Sequence, residues 1–182
     1  MRFNFRAAAL AASIGFAALP AFAQVMVGGA AMSPTKDIID NAVNSKDHTT
    51  LVAAIKAAGL VETLKGKGPF TVFAPTNKAF DALPAGTVDT LLKPENKPAL
   101  AKILTYHVVA GKVLAADLVK MITADKGKHM IKTVSGGMLA ASMSGSTVLL
   151  TDEKGGVAHV TIADVIQSNG VIHVVDKVLL PN

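Results

Sequence analysis

The 182-residue chain has no cysteine and no tryptophan, and aromatic residues make up only 4% of it. Without cysteine there are no disulfides, no thiol catalysis, no cysteine-held metal and no lipid anchor on a cysteine. Arginine is nearly missing too: Arg2 and Arg6 are the only two. Beyond residue 23 the aromatic side chains are Phe70, Phe73, Phe80 and Tyr106. Such a chain lacks the groups that grip phosphates in a fork or stack on bases, so its sequence pI of about 9.5 does not point to nucleic acid. A solvated lysine surface, weakly attractive to anionic glycans or membranes, accounts for the charge. After residue 23 no apolar run is long enough to span a bilayer, so no stable membrane insertion is expected there.

What is present begins with a secretory signal. Arg2 and Arg6 form a basic n-region, Ala7 to Leu19 is apolar apart from Ser13, and Ala21-Phe22-Ala23 has the form of a cleavage site. Cutting between Ala23 and Gln24 leaves 16 Lys against 13 Asp+Glu, a charge of +3. An exported chain without disulfides must rely on its core, and at this length it can bury roughly two-thirds of its unfolded surface. The division is therefore residues 1–23 as signal, 24–32 as a flexible lead-in, and 33–182 as one domain.

Hydrophobic periodicity gives the elements. Ser33-Pro34 reads as cap and first residue of a helix carrying Ile38, Ile39, Ala42 and Val43. A second helix starts near Thr49 and stops at Gly59, with a short turn over residues 60–64. Phe70 to Ala74 reads as a strand, ended by Pro75, and Thr76 as the N-cap of a helix with Ala79, Phe80 and Leu83 on one face. A short helix follows over residues 87–92. From Pro98 to Tyr106, Leu100, Ile103, Leu104 and His107 fall on one helical face, so His107 belongs to the apolar side at the helix end. After Gly111 the period shifts toward two, with strands expected over 129–134, 138–142, 147–151, 157–162 and 171–180. Helices crowd the first half and strands the second, an α+β order.

Three segments then line up in sequence. Thr71–Phe80, TVFAPTNKAF, resembles the first signature of the fasciclin domain. Tyr106-His107, followed by residues 108–113, resembles the family's tyrosine–histidine motif, and residues 168–181, SNGVIHVVDKVLLP, resemble its closing signature. The likeness covers residues 33–181. It implies a wedge of β-sheets with several helices around it. It also implies adhesion or binding at a cell surface or in matrix, with a protein or glycan as partner. The motif positions are Thr71, Phe73, Pro75, Thr76, Asn77, Phe80, Tyr106, His107, Gly111, Asn169, Gly170, His173 and Asp176, with mainly structural roles. Asn77 departs from the family, which often has Asp there. The resemblance places that residue near His107, where Asn77 supplies a neutral hydrogen bond in place of a charged one, and so weakens any pH response of His107.

Chemistry has few candidates. His107 reads as a general base or as a buried histidine bonded to hold a helix end. The second reading is favoured because no Gly-x-Ser-x-Gly elbow or other nucleophile motif accompanies it. His173 and Asp176 lie three apart in a strand and point to opposite faces, poor geometry for a shared metal. His48, His129 and His159 are scattered, with His159 expected to be exposed, and no metal-ligand spacing occurs. No phosphate loop is present, so no cofactor is expected. Met121, Met130, Met138 and Met143 either line an adaptable groove or fill the core. Lys67 and Lys78 flank the first signature as possible contacts. Three functions follow: a non-catalytic exported binding module; a small-ligand or lipid carrier, which needs an internal pocket of about 300 Å3 or more; and a hydrolase using His107.

Overall fold

The computed structural model describes residues 24–182, and the expected signal segment, residues 1–23, lies outside the described residues. Its architecture is α+β. Six helices precede the second strand of the main sheet. They are α1 (Ile38–Ala42), α2 (Thr49–Ala58), α3 (Val61–Lys65), α4 (Asn77–Asp81), α5 (Thr87–Leu91) and α6 (Lys97–Tyr106). α7 (Ala115–Ala124) is the one helix among the later strands.

The sheet has seven strands: β3 (Phe70–Pro75), β4 (Val108–Ala110), β5 (Lys128–Lys132), β6 (Met138–Ser144), β7 (Thr147–Thr151), β8 (Val157–Gln167) and β9 (Gly170–Val175). Their spatial order is β4-β3-β9-β8-β7-β6-β5. β3 and β9 run parallel, Phe70 opposite Gly170 through Pro75 opposite Val175, and every other pair is antiparallel. The Val134 amide donates to the Val108 carbonyl at 2.8 Å, tying the two edges of the sheet together into a near-barrel.

Two cores flank the sheet. One gathers α1, α2 and α6 against Val72, Ala74, Ile172 and Val174. The other sets Leu118 and Ile122 of α7 against Leu139, Ala141, Val148 and Leu150, with Phe73 and Tyr106 at its centre. Alternation along β3 and β9 sends successive residues to opposite cores, so both strands are buried on both faces.

Several expected boundaries differ. Pro34 lies in a turn, and Asp37 caps α1 in place of Ser33, accepting from the Asp40 amide at 2.8 Å. Residues 24–32, expected as a loose lead-in, form a ribbon of β1 (Met26–Val27) and β2 (Ala30–Ala31) and bury Val27 and Met32 in the helical core. The Thr76 hydroxyl caps α4 through the Ala79 amide, as its sequence position predicts, and Gly59 closes α2 in the left-handed region at φ 71°. β8 runs on to Gln167 across a bulge between Val160 and Val165, where Asp164 takes φ 56°. β9 ends at Val175, and the residues after Asp176 leave the ladder.

Candidate functional site

The three signature segments meet at the β3–β9 pair, and most of their polar side chains bind backbone. Thr71 donates its hydroxyl to the Gly111 carbonyl at 2.7 Å and accepts from the Val113 amide at 2.8 Å. This ties β3 to the turn after β4. Asn169 accepts from the Ile38 amide at 3.1 Å and donates to the carbonyls of Leu64 and Gly66. One amide therefore joins the start of α1, the end of α3 and the β8–β9 turn.

His107 caps α6. Its Nδ1–H donates to the Ile103 carbonyl at 2.8 Å, and Nε2 accepts from the Leu179 amide at 2.9 Å. Both nitrogens are engaged and the ring is buried, so no lone pair faces a substrate. Burial pushes its pKa down to about 4, against a smaller opposing pull from the Ile103 carbonyl.

Asn77 and His107, which the resemblance brought together, do not meet. Asn77 accepts from the Thr50 amide at 3.0 Å and from the Thr49 hydroxyl at 3.2 Å, and donates to the Lys46 carbonyl. It clips α4 to the start of α2. The neutral state of His107 comes from burial, not from its relation to Asn77.

His173 is buried and stacks on Phe73, ring centroids 5.7 Å apart. Its Nδ1 accepts from the Asp164 amide at 3.2 Å and its Nε2–H donates to the Val113 carbonyl at 2.8 Å. Burial lowers its pKa as well. Asp176 is exposed and pairs with His159, Oδ2 to Nδ1 at 2.9 Å. His173 and Asp176 thus face apart, as their spacing requires. Among the described residues no three His, Cys, Asp or Glu side chains gather where a metal could sit. Phe80 is buried against the helical core, Pro75 closes β3, and Lys67 and Lys78 are exposed.

Tyr106 is fully buried, and its hydroxyl donates to the Met138 carbonyl at 2.7 Å and accepts from the Glu153 amide at 3.1 Å. Burial pushes its pKa up to about 12. Tyr106→Phe leaves both backbone groups without that partner and is expected to cost about 2 kcal/mol. Thermal unfolding checks this, and an unchanged melting temperature would refute the bridge.

Two further buried polar groups lie outside the signature positions. Asp152 is buried and accepts from the amides of Lys154, Gly156 and Leu180, joining the β7–β8 turn to the C-terminal segment. The spacing Asp152-x-x-Gly155-Gly156 is the signal that could have marked it as a turn-binding carboxylate. His48 is buried with Nδ1 2.8 Å from the Ser45 hydroxyl, while Nε2 has no partner; burial lowers its pKa. Nothing in the sequence around His48 distinguishes it from a surface residue.

Two small spaces lie between helices and sheet among the described residues. A cavity of about 30 Å3 lies beside His107 and Phe70, and one of about 20 Å3 beside His48, each with room for a single water. A larger space, about 430 Å3, is an open surface cleft beside Gln24, Pro34 and Ile166. It is not the enclosed pocket between helices and sheet that a carrier needs.

Comparison with known proteins places these features. The fasciclin domain model matches residues 46–181. The chain is 48% identical over 158 residues to the Synechocystis sp. protein sll1483, covering 86% of this chain and 79% of that one. It is 35% identical to immunogenic protein MPB70 of Mycobacterium bovis, over 98% of this chain and 94% of the relative. It is 36% identical to transforming growth factor-beta-induced protein ig-h3 of Sus scrofa, covering 81% of this chain but 20% of that longer protein. Among solved structures, a FAS1 domain pair from the insect cell adhesion molecule fasciclin I superposes with a TM-score of 0.70 at 19% identity. That match covers 80% of this chain and 51% of the pair, and it shows the shared fold.

Proposed function

We infer that this chain, which belongs to the fasciclin domain family, is an exported, non-catalytic contact module whose partner is a surface protein or a glycan. The observation that carries this reading is the use made of the signature side chains. Thr71, Asn77, Tyr106, His107, Asn169 and His173 spend their hydrogen bonds on backbone or neighbouring residues. What the motif region offers to another molecule is its rim, where Lys67 and Lys78 stand exposed. The adhesion role named for fasciclin I supports the same reading. A hydrolase reading finds no support in His107, whose ring is closed on both nitrogens. The matches indicate no catalytic family. Among the described residues no helix is long and apolar enough to cross a membrane.

The test is capture from surface or matrix extracts with the exported protein, compared with Lys67→Glu/Lys78→Glu. The expected result is a specific partner whose retention falls several-fold in the double variant while the melting temperature holds. Retention unaffected by the pair removes the rim from the reading. The intact mass of the same exported protein reads the proposed cleavage between Ala23 and Gln24, and any other N-terminus refutes it.

A further inference from the structure

Among the described residues no helix packs on the outer face of strands β5 to β8. α7 covers the inner face, where Ile131, Leu139, Ala141, Val148, Leu150 and Ala158 point. The alternate residues point outward. In cross-strand register they form one row, Met130–Ala140–Thr151–Val157, whose exposed apolar members are Met130 and Val157, beside a second row, Lys128–Ser142–Leu149–His159. Met130 is 48% exposed and Val157 37%. Two of the four methionines singled out in the sequence, Met121 and Met143, serve the inner core, while Met130 and Met138 face out.

The strand positions of this face carry positive charge. Lys128 and Lys132 stand on its edge strand, and none of the outward positions from β5 to β8 is acidic. The Asp176 carboxylate, beside His159 at the far end of the second row, stands at the opposite side of the face from the two lysines. Among the described residues the lysine that meets a carboxylate is Lys65, far from this face on α3, so Lys128 and Lys132 carry unneutralised charge.

Size and charge select the occupant. Four strands spaced about 4.8 Å apart and about five residues long present on the order of 300 Å2. A stable protein interface needs about 800 Å2 per partner. A second copy paired edge to edge would set Lys128 and Lys132 against their own counterparts, a repulsion typical of protected edges. An anionic polysaccharide would use the lysines but leave Met130 and Val157 idle, and the outward strand positions hold no Phe, Tyr or Trp to stack on a sugar. A lipid bilayer with anionic headgroups uses both rows.

We propose that the outer face of β5–β8 is a peripheral docking surface for an anionic lipid bilayer. Lys128 and Lys132 meet headgroup phosphates, and Met130 and Val157 lie at the boundary between headgroups and acyl chains. Attachment is reversible and inserts no segment. This surface is separate from the Lys67 and Lys78 rim, so vesicle binding and partner capture can fail independently.

The test is co-sedimentation of the exported protein with vesicles of phosphatidylcholine alone or mixed equally with phosphatidylglycerol. Binding is expected to the mixed vesicles and not to phosphatidylcholine. Lys128→Glu/Lys132→Glu should lower partitioning roughly thirtyfold or more. Met130→Ser, which leaves the charge unchanged, should lower it roughly fivefold. Lys56→Glu/Lys93→Glu, on the helical side, should leave it unchanged. Matching melting temperatures show that each variant is folded. Failure to bind the mixed vesicles overturns the proposal. So does equal weakening by the Lys56 and Lys93 pair, which would mean diffuse charge. A third refuting result is Met130→Ser without effect while dextran sulfate competes through Lys128 and Lys132, the behaviour of a plain polyanion site.

Discussion

Gly170→Ala is expected to cost about 3 kcal/mol or more and to lower the melting temperature by about 6–12 °C. A Cβ on Gly170 would stand 2.0 Å from the Phe70 carbonyl oxygen and 2.9 Å from the Phe70 carbonyl carbon and amide nitrogen. Those are backbone atoms at the start of the parallel β3–β9 pair and cannot swing aside as a side-chain tip can. Relief would require separating the two strands where Phe70 donates to the Asn169 carbonyl at 3.0 Å. Asn169 also holds α1 and α3, so the displacement reaches the helical core. Chemical and thermal unfolding of the variant measure the effect, and a melting temperature equal to that of the parent would show that the strands do not approach this closely.

The second large effect is acid destabilisation. His48, His107 and His173 are buried, and burial holds each below its ordinary value of 6.5, His107 at about 4. In the unfolded chain these rings take up a proton as pH falls through 6.5, while in the folded chain they stay neutral. The unfolded state therefore binds more protons and is stabilised relative to the folded one on acidification. Their contribution is neutral above pH 6.5 and grows as pH falls toward 4. His107 alone removes about 3 kcal/mol across that window, at about 1.4 kcal/mol per pH unit. His48 and His173 act in the same direction. Urea unfolding between pH 6.5 and 5, where ordinary carboxylates stay ionised, should give a stability that falls steadily. His107→Gln should flatten the slope by nearly one proton. A flat profile in the parent, or one unaltered by His107→Gln, would contradict the buried neutral imidazole.

What could be read from the sequence was what depends on local pattern. The Thr76 cap, the Gly59 stop and the α6 face ending in His107 follow from spacing alone, and so does the exposure of His159. The motif order was enough to identify the family, and with it the α+β fold. Partnerships between distant residues were not legible. The Asn169 clamp joins residues about a hundred positions apart, and Asn41 reaches Gln167 with only the amide chemistry of each visible beforehand. The burial of Val27 and Met32 was hidden because Gln24–Met32 is small and glycine-rich, a composition that serves a loop or a ribbon equally. The bulge at Asp164 breaks the two-residue period, so the alternation visible in the sequence stops at Ile162 while β8 continues to Gln167. Asn77 was assigned to His107 by resemblance, and only the placement of α2 beside α4 shows what it binds.

The parallel pairing of Phe70 with Gly170 also sets a clock. At a synthesis rate of about 5–20 residues per second, β3 leaves the ribosome roughly 5–20 s before its neighbour β9 exists. Through that interval β3 can find β4 but not β9, and the His107 cap lacks the Leu179 amide that completes it. The nascent chain therefore cannot close its central sheet until β9 has been made. A chain that locks this late stays threadable during synthesis, the condition under which a protein can be passed through a membrane pore before it folds.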